Sequence, residues 1–127
     1  MPAVEWDPLA AQVAQAHANR CMTMHNANRN ADYVAAGGSG GLGENMYWGT
    51  GSHTVQGAVN LWAAEVSQYN LAANTCSGVC GHYTQIVWAN TVRIGCGAAV
   101  CSGTTLVVCD YNPPGNFIGQ RPYTAAP

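Results

Sequence analysis

Lysine is absent from this 127-residue chain, whose cationic side chains are four Arg set against six Asp or Glu. Charged residues make up 8% of it, against a usual ~25%, so solubility falls to Asn, Gln, Ser, Thr and Gly. A formal charge of −2 with no basic cluster excludes the footprint that nucleic acid or an anionic membrane requires. Long apolar runs are missing as well. Stretches such as Ile86–Ala89 and Leu106–Cys109 fall far short of the roughly 20 residues of a spanning helix, so no transmembrane segment is expected. The opening Met1-Pro2-Ala3-Val4-Glu5-Trp6 has neither a basic nor an apolar leader region. That leaves a protein that is not exported, or a chain that starts after a removed leader. Nucleophile elbows are lacking: Ser39, Ser52, Ser67, Ser77 and Ser102 have no strand–Ser–helix context. The run Gly37-Gly38-Ser39-Gly40-Gly41 is no phosphate loop, because the Lys-Ser/Thr pair is missing. With no repeat and no linker, a 48% apolar chain of this size is expected to form one domain over residues 1–127.

Cysteine is what the chain does have. Cys21, Cys76, Cys80, Cys96, Cys101 and Cys109 are an even set, which reads as a disulfide framework closed in an oxidising compartment. Zinc is the competing reading, because Cys76-x3-Cys80 and Cys96-x4-Cys101 loosely imitate a four-cysteine site. Those spacings miss the usual two-residue gap and leave two cysteines over. Val92–Ala99 and Thr104–Tyr111 flank Ser102-Gly103 and read as a hairpin. It puts Cys96 opposite or next to opposite Cys109, within cross-strand reach. Cys76 and Cys80 can clip a tight loop, and Cys101 is left for Cys21. The expected bridges are Cys21–Cys101, Cys76–Cys80 and Cys96–Cys109.

Asp7-Pro8 is a helix start, an N-cap acid followed by Pro at the first helical position. Leu9, Val13, Ala16 and Arg20 then recur at helical spacing to about Cys21. Met22 to Gly43 lacks periodicity and reads as a long irregular stretch, a feature that is often functional. Asn45–Trp48 reads as a short strand ended by Gly49. Thr54 caps a second helix whose apolar face is Val55, Ala58, Val59, Trp62, Val66 and Tyr69. Glu65 lies about 60° from Trp62 on that helix, at the margin of the face. A carboxylate aimed there needs a partner or it should neutralise. Gly81–Trp88 fits a short helix or a strand, and Asn112-Pro113-Pro114-Gly115-Asn116 must be loop. His17 and His53 are expected to face solvent or cap helices. Trp6, Trp48, Trp62 and Trp88 are expected in the core or in a cleft wall.

Three stretches together resemble the CAP superfamily of cysteine-rich secretory proteins, antigen 5 and pathogenesis-related 1 proteins. The first is Cys80-Gly81-His82-Tyr83-Thr84-Gln85-Ile86-Val87-Trp88, continuing through Asn90, Arg93 and Gly95-Cys96-Gly97. The second is Cys109-Asp110-Tyr111-Asn112-Pro113-Pro114-Gly115-Asn116, ending in Gly119-Gln120-Arg121-Pro122-Tyr123. The third is Gly43-Glu44-Asn45-Met46-Tyr47-Trp48-Gly49, followed by Trp62-x-x-Glu65-x-x-x-Tyr69. The resemblance implies an α+β fold, a three-layer α-β-α sandwich with a small antiparallel sheet stabilised by disulfides. It also implies a cleft tetrad of His25, Glu44, Glu65 and His82, and a disulfide pattern that agrees with the pairing above. Relatives carry an extra first helix with a His-Asn-x-x-Arg motif ahead of the element matched by Trp6-Asp7, and the residues before Trp6 leave no room for it, so that helix is expected to be missing or to have been cut away. The chain carries a short tail, Thr124–Pro127, and has Asp110 and Asn112 where plant members read Asn-Tyr-Asp.

Two imidazoles and two carboxylates could hold zinc or another divalent cation on His25 and His82. They could equally form a structural network in which each Glu fixes a His. A metal-dependent hydrolase built on the tetrad is an alternative that needs an open coordination position and a substrate groove, and no residue is assigned as catalytic. The resemblance further implies carriage of a sterol, a fatty acid or another small apolar ligand. The loop concerned is Asn70–Val79, with Asn70, Leu71, Ala72, Ala73 and Val79 as its candidate contacts. Release of Pro113–Tyr123 as a signalling peptide is a third possibility. The reading is a secreted, extracellular, monomeric effector of the defence or virulence type, acting by binding.

Overall fold

The computed structural model describes residues 4–124, so the first three residues and the tail beyond Thr124 lie outside the described residues. After the two-residue strand β1 (Glu5–Trp6) comes helix α1 (Pro8–Asn19). Asp7 caps it, its carboxylate accepting from the amides of Leu9 at 2.9 Å and Ala10 at 3.3 Å. The helix stops two residues short of the expected end because Cys21 takes a left-handed conformation, φ 57, which no helix continues. Its inner face is Ala10, Val13, Ala14, His17 and Ala18. These small residues let it lie almost on the sheet, so close that a β-carbon on Gly95 would overlap the backbone of Ala11.

The stretch expected to be irregular contains a second helix, α2 (Arg29–Ala35), which buries only Tyr33. Strand β2 (Gly43–Thr50) is longer at both ends than the sequence suggested. Helix α3 (Val55–Ala64) is capped by Thr54, whose hydroxyl accepts from the Gly57 amide at 3.0 Å. A 3-10 turn over Glu65–Gln68 follows, so Val66 leaves the apolar face and is half exposed. Strands β3 (Tyr69–Asn70) and β4 (Thr75–Cys76) form a small hairpin, and α4 (Gly81–Ile86) shows that the ambiguous segment is helical. The hairpin of β5 (Arg93–Cys101) and β6 (Thr104–Asn112) is the last regular structure among the described residues.

The main sheet has the order β1-β5-β6-β2. It is not wholly antiparallel as expected, because β1 runs parallel to β5. The other neighbours, β5 with β6 and β6 with β2, are antiparallel. Alternation along β6 separates two cores. Leu106 and Val108 pack with Ala14, Ala18 and Met46 on the α1 side. Val107, Cys109 and Tyr111 pack with Ala58 and Trp62 on the α3 side. Thr105 through Asn112 are all buried, which is why β6 reads as an apolar run rather than as an alternation. Truncating Leu106 or Val108 to Ala should each cost about 2–4 kcal/mol. Helices on both faces of a small sheet make the α+β sandwich. Cys96–Cys109 crosslinks register partners of β5 and β6. Cys21–Cys101 ties the end of α1 to the tip of that hairpin, and Cys76–Cys80 closes the loop before α4.

Candidate functional site

Strand β2 is the outer strand of the sheet, and its alternation explains the Gly43-Glu44-Asn45 run. Glu44 shares a face with Met46, which packs toward α1; Asn45 shares the other with Tyr47, which packs toward α3. Glu44 Oε1 accepts from His25 Nδ1 at 2.9 Å and from the Asn26 amide at 2.9 Å. Asn45 turns to the opposite face and donates to the backbone carbonyl of His82 at 3.0 Å and to the Tyr111 hydroxyl at 3.1 Å. Gly43 has no room for a side chain, because a β-carbon there would overlap the buried Gln85 carboxamide. One short strand therefore holds a histidine on each side of the sheet.

The second pair mirrors the first. His82, at the start of α4, donates from Nδ1 to Glu65 Oε2 at 2.8 Å, and the Tyr83 amide donates to Glu65 Oε1 at 3.0 Å. Glu65 is not on the α3 helix as expected. It opens the 3-10 turn, and this turn aims its carboxylate at the N-terminus of α4. The His82 ring stacks on Trp62 with centroids 5.8 Å apart and planes at 11°. The two Glu side chains sit behind their imidazoles, 1% and 14% exposed for Glu44 and Glu65, whereas His25 and His82 are 60% and 34% exposed.

Both imidazoles line one cavity of about 300 Å³, together with Met24, Met46, Tyr47 and Trp48. Three consecutive residues of an outer strand can line one cavity only if it crosses the strand's free edge. The tetrad is therefore gathered, with His25 reaching in from one face of the sheet and His82 from the other. Because a carboxylate can only accept, each imidazole carries its proton on Nδ1 and leaves Nε2 without a protein partner among the described residues. Burial opposes ionisation of Glu44, but hydrogen bonds from His25, Asp110 and the Asn26 amide outweigh it and hold its carboxyl below the usual range.

Three supporting residues escaped the sequence reading. Asn26, buried, donates to Asp32 and accepts from the Asn28 amide and from Arg29, which fixes the loop that carries His25. His17 is not at the surface as expected. It is buried, with Nε2 2.7 Å from the Met24 carbonyl, so it ties α1 to the same loop. Asp110, fully buried, is the register partner of Glu44 on β6. Loop Asn70–Val79 sits elsewhere, bordering a second cavity of about 320 Å³ walled by Tyr69, Asn74, Thr75, Trp88 and Phe117. Leu71, Ala72, Ala73 and Val79 do not line that cavity. The carbonyls of Leu71 and Ala72 instead accept from Arg121 at 2.9 and 2.7 Å. No helix among the described residues is long and apolar enough to cross a membrane.

Comparison with known proteins agrees with the fold. Pathogenesis-related protein 1 of Arabidopsis thaliana is 41% identical over 121 residues, covering 94% of this chain and 70% of that protein. GLIPR1-like protein 1 of Mus musculus is 41% identical over 124 residues, covering 94% of this chain and 52% of that protein. The structure of Schistosoma mansoni venom allergen-like protein 4 superposes with a TM-score of 0.80 at 35% identity, over 98% of this chain and 75% of that one. The structure of NaASP2 with Zn2+ superposes with a TM-score of 0.75 at 28% identity, over 97% of this chain and 66% of that one. The family model for the cysteine-rich secretory proteins matches residues 1–111. The chain belongs to the cysteine-rich secretory protein (CAP) family.

Proposed function

We propose that the cleft binds a divalent cation, with zinc as the ion to test, through Nε2 of His25 and of His82. The observation that carries this reading is the paired arrangement itself. Two imidazoles facing one cavity are each fixed at Nδ1 by a carboxylate set behind the ring, leaving the ligating nitrogen free. A carboxylate behind a histidine sets its tautomer and raises its basicity, the usual support for a metal ligand. Among the described residues no three His, Cys, Asp or Glu side chains cluster closely enough to hold an ion. The chain would thus supply two ligands and leave open positions for water or a bound molecule. The Zn2+ in the NaASP2 structure supports the same reading. Three disulfides and the family support secretion, and likeness to pathogenesis-related proteins supports a defence-type role exercised by binding.

Calorimetric titration of the oxidised protein with zinc near neutral pH, beside a His25→Ala/His82→Ala variant, tests it. Stoichiometric binding that the variant loses is the expected result. Equal affinity in both would overturn the assignment. A second reading rests on the aromatic cavity beside loop Asn70–Val79, whose walls of Tyr69, Trp88 and Phe117 suit a small apolar ligand. Loss of fluorescent sterol or fatty-acid binding in Trp88→Ala would support it, and unchanged binding would remove the cavity from consideration.

A further inference from the structure

The Glu44 half of the cleft has a second carboxyl behind it that the Glu65 half lacks. Asp110 is fully buried and is the register partner of Glu44 across the β2–β6 ladder, so the two carboxyls project side by side from the same face of neighbouring strands. On the other side of Asp110 in the sheet stands Gly95, which offers no side chain, and α1 covers that face. No N–H or hydroxyl donor among the described residues reaches either Asp110 oxygen or Glu44 Oε2. Two ionised carboxylates cannot persist in contact without donors or solvent, because each raises the cost of charging the other. One proton between them resolves the arrangement, giving a short O–H···O bond that satisfies Glu44 Oε2.

The geometry also says which side keeps the proton. Glu44 Oε1 already accepts from His25 Nδ1 and the Asn26 amide, and both bonds favour its charged form. Asp110 accepts from no N–H or hydroxyl among the described residues, so no hydrogen bond favours its charged form. We propose that Asp110 is a positioning residue of the cleft, a carboxylic acid kept neutral at neutral pH that donates to Glu44 Oε2. It thereby fixes the carboxylate that orients His25. Among the charged groups near the pair, Arg29 on α2 favours ionising Asp110, whereas Glu44 on β2 and Asp32 on α2 oppose it. On α1 the buried titratable side chain is His17, whose Nε2 is engaged by Met24. Burial first, then the Glu44 carboxylate, push the Asp110 carboxyl up to about 10, which agrees with the hydrogen-bond geometry.

An Asn at this position would donate an amide N–H to Glu44 at any pH. Asp makes the same bond only while it holds its proton, so the His25 arm rests on a titratable donor behind its carboxylate. The consequence for metal binding rests on the reading of the cleft given above, but the proton is observable in the metal-free protein. Carbon-13 NMR of the aspartate carboxyls at pH 7, assigned by Asp110→Asn, should show Asp110 at the shift of a neutral acid. Nitrogen-15 shifts should show His25 in the Nδ1–H tautomer in the wild type and in Asp110→Asn, and a mixture of tautomers in Asp110→Leu. Zinc affinity should fall about 10-fold in Asp110→Leu and stay within about 3-fold in Asp110→Asn. An ionised Asp110 at pH 7 would overturn the proposal, as would an unaltered His25 tautomer in a folded Asp110→Leu protein. The wild-type carboxyl shift decides the matter even where that variant does not fold. Absence of zinc binding in every form would refute the metal reading while the two NMR signals still decide this one.

Discussion

Opening the Cys21–Cys101 bridge should cost far more stability than opening either of the others, because the three close loops of very different length. Their cysteines are 80, 13 and 4 residues apart for Cys21–Cys101, Cys96–Cys109 and Cys76–Cys80. On the chain-entropy relation these separations correspond to about 4.5, about 3 and about 2 kcal/mol. Replacing both partners with Ala reads the bridge alone at position 21. Cys21 sits at φ 57, and Ala keeps the same β-carbon and so the same backbone strain. Urea unfolding followed by tryptophan fluorescence supplies the measurement, with midpoint and slope fitted together. The slope should also rise in the Cys21→Ala/Cys101→Ala variant, since an unfolded chain released from its longest loop exposes more surface. Against a total stability of about 5–15 kcal/mol, a loss near 4.5 would leave a marginal fold. A loss under about 1 kcal/mol, or a larger loss from opening Cys76–Cys80, would refute the loop-length argument. It would mean that native-state packing around the sulfurs decides their worth.

Other outcomes follow from the same structure. Asp110 has a raised pKa when folded, so the folded chain keeps a proton that the unfolded chain releases above the ordinary value of 3.8. Its contribution is therefore fullest in acid and falls as pH rises from about 4 toward about 10, by up to about 1.4 kcal/mol per pH unit. Urea midpoints at several pH values between 5 and 8 (roughly the middle of that window) should show Asp110→Asn gaining on the wild type as pH rises, and parallel curves would contradict this. Gly95→Ala should destabilise by about 2–3 kcal/mol in thermal unfolding, since the added carbon meets helix backbone that cannot swing aside. Asn45→Ala should lose about 1–3 kcal/mol by orphaning the buried Tyr111 hydroxyl and removing the tie to the His82 carbonyl. Its zinc affinity should fall as well, and calorimetry showing normal affinity would free the His82 arm from dependence on Asn45.

What the sequence disclosed, and what it withheld, follows from how far apart the interacting residues lie. Local signals were legible. Asp7-Pro8 capped a helix as a cap should, and Ser102-Gly103 turned a hairpin. Helix α2 was hidden because a helix that buries only Tyr33 has no apolar period to read. Gly81–Trp88 was ambiguous for the opposite reason: α4 buries Tyr83 and Gln85, two residues apart, which imitates the alternation of a strand. Strand β1 pairs through two residues with a partner almost ninety positions later, and no local pattern records that. The tetrad was reached through motif resemblance and, for Glu65, through its awkward place on an apolar face. Asp110 could not be found that way. Its meaning lies in a cross-strand register with Glu44, and along β6 it looks like one polar residue at the end of an apolar run.

The positions of two bridges have a consequence for where the cleft can exist at all. His25 follows Cys21 by four residues and His82 follows Cys80 by two, so each imidazole hangs just beyond a crosslink. Reduction of those two bridges would loosen the two arms together, while the sheet keeps its hydrogen-bonded ladder and the apolar layers on both faces. Scaffold and cleft thus draw on the same oxidant: the bridge that holds the His25 arm is also the one whose loss leaves the fold marginal.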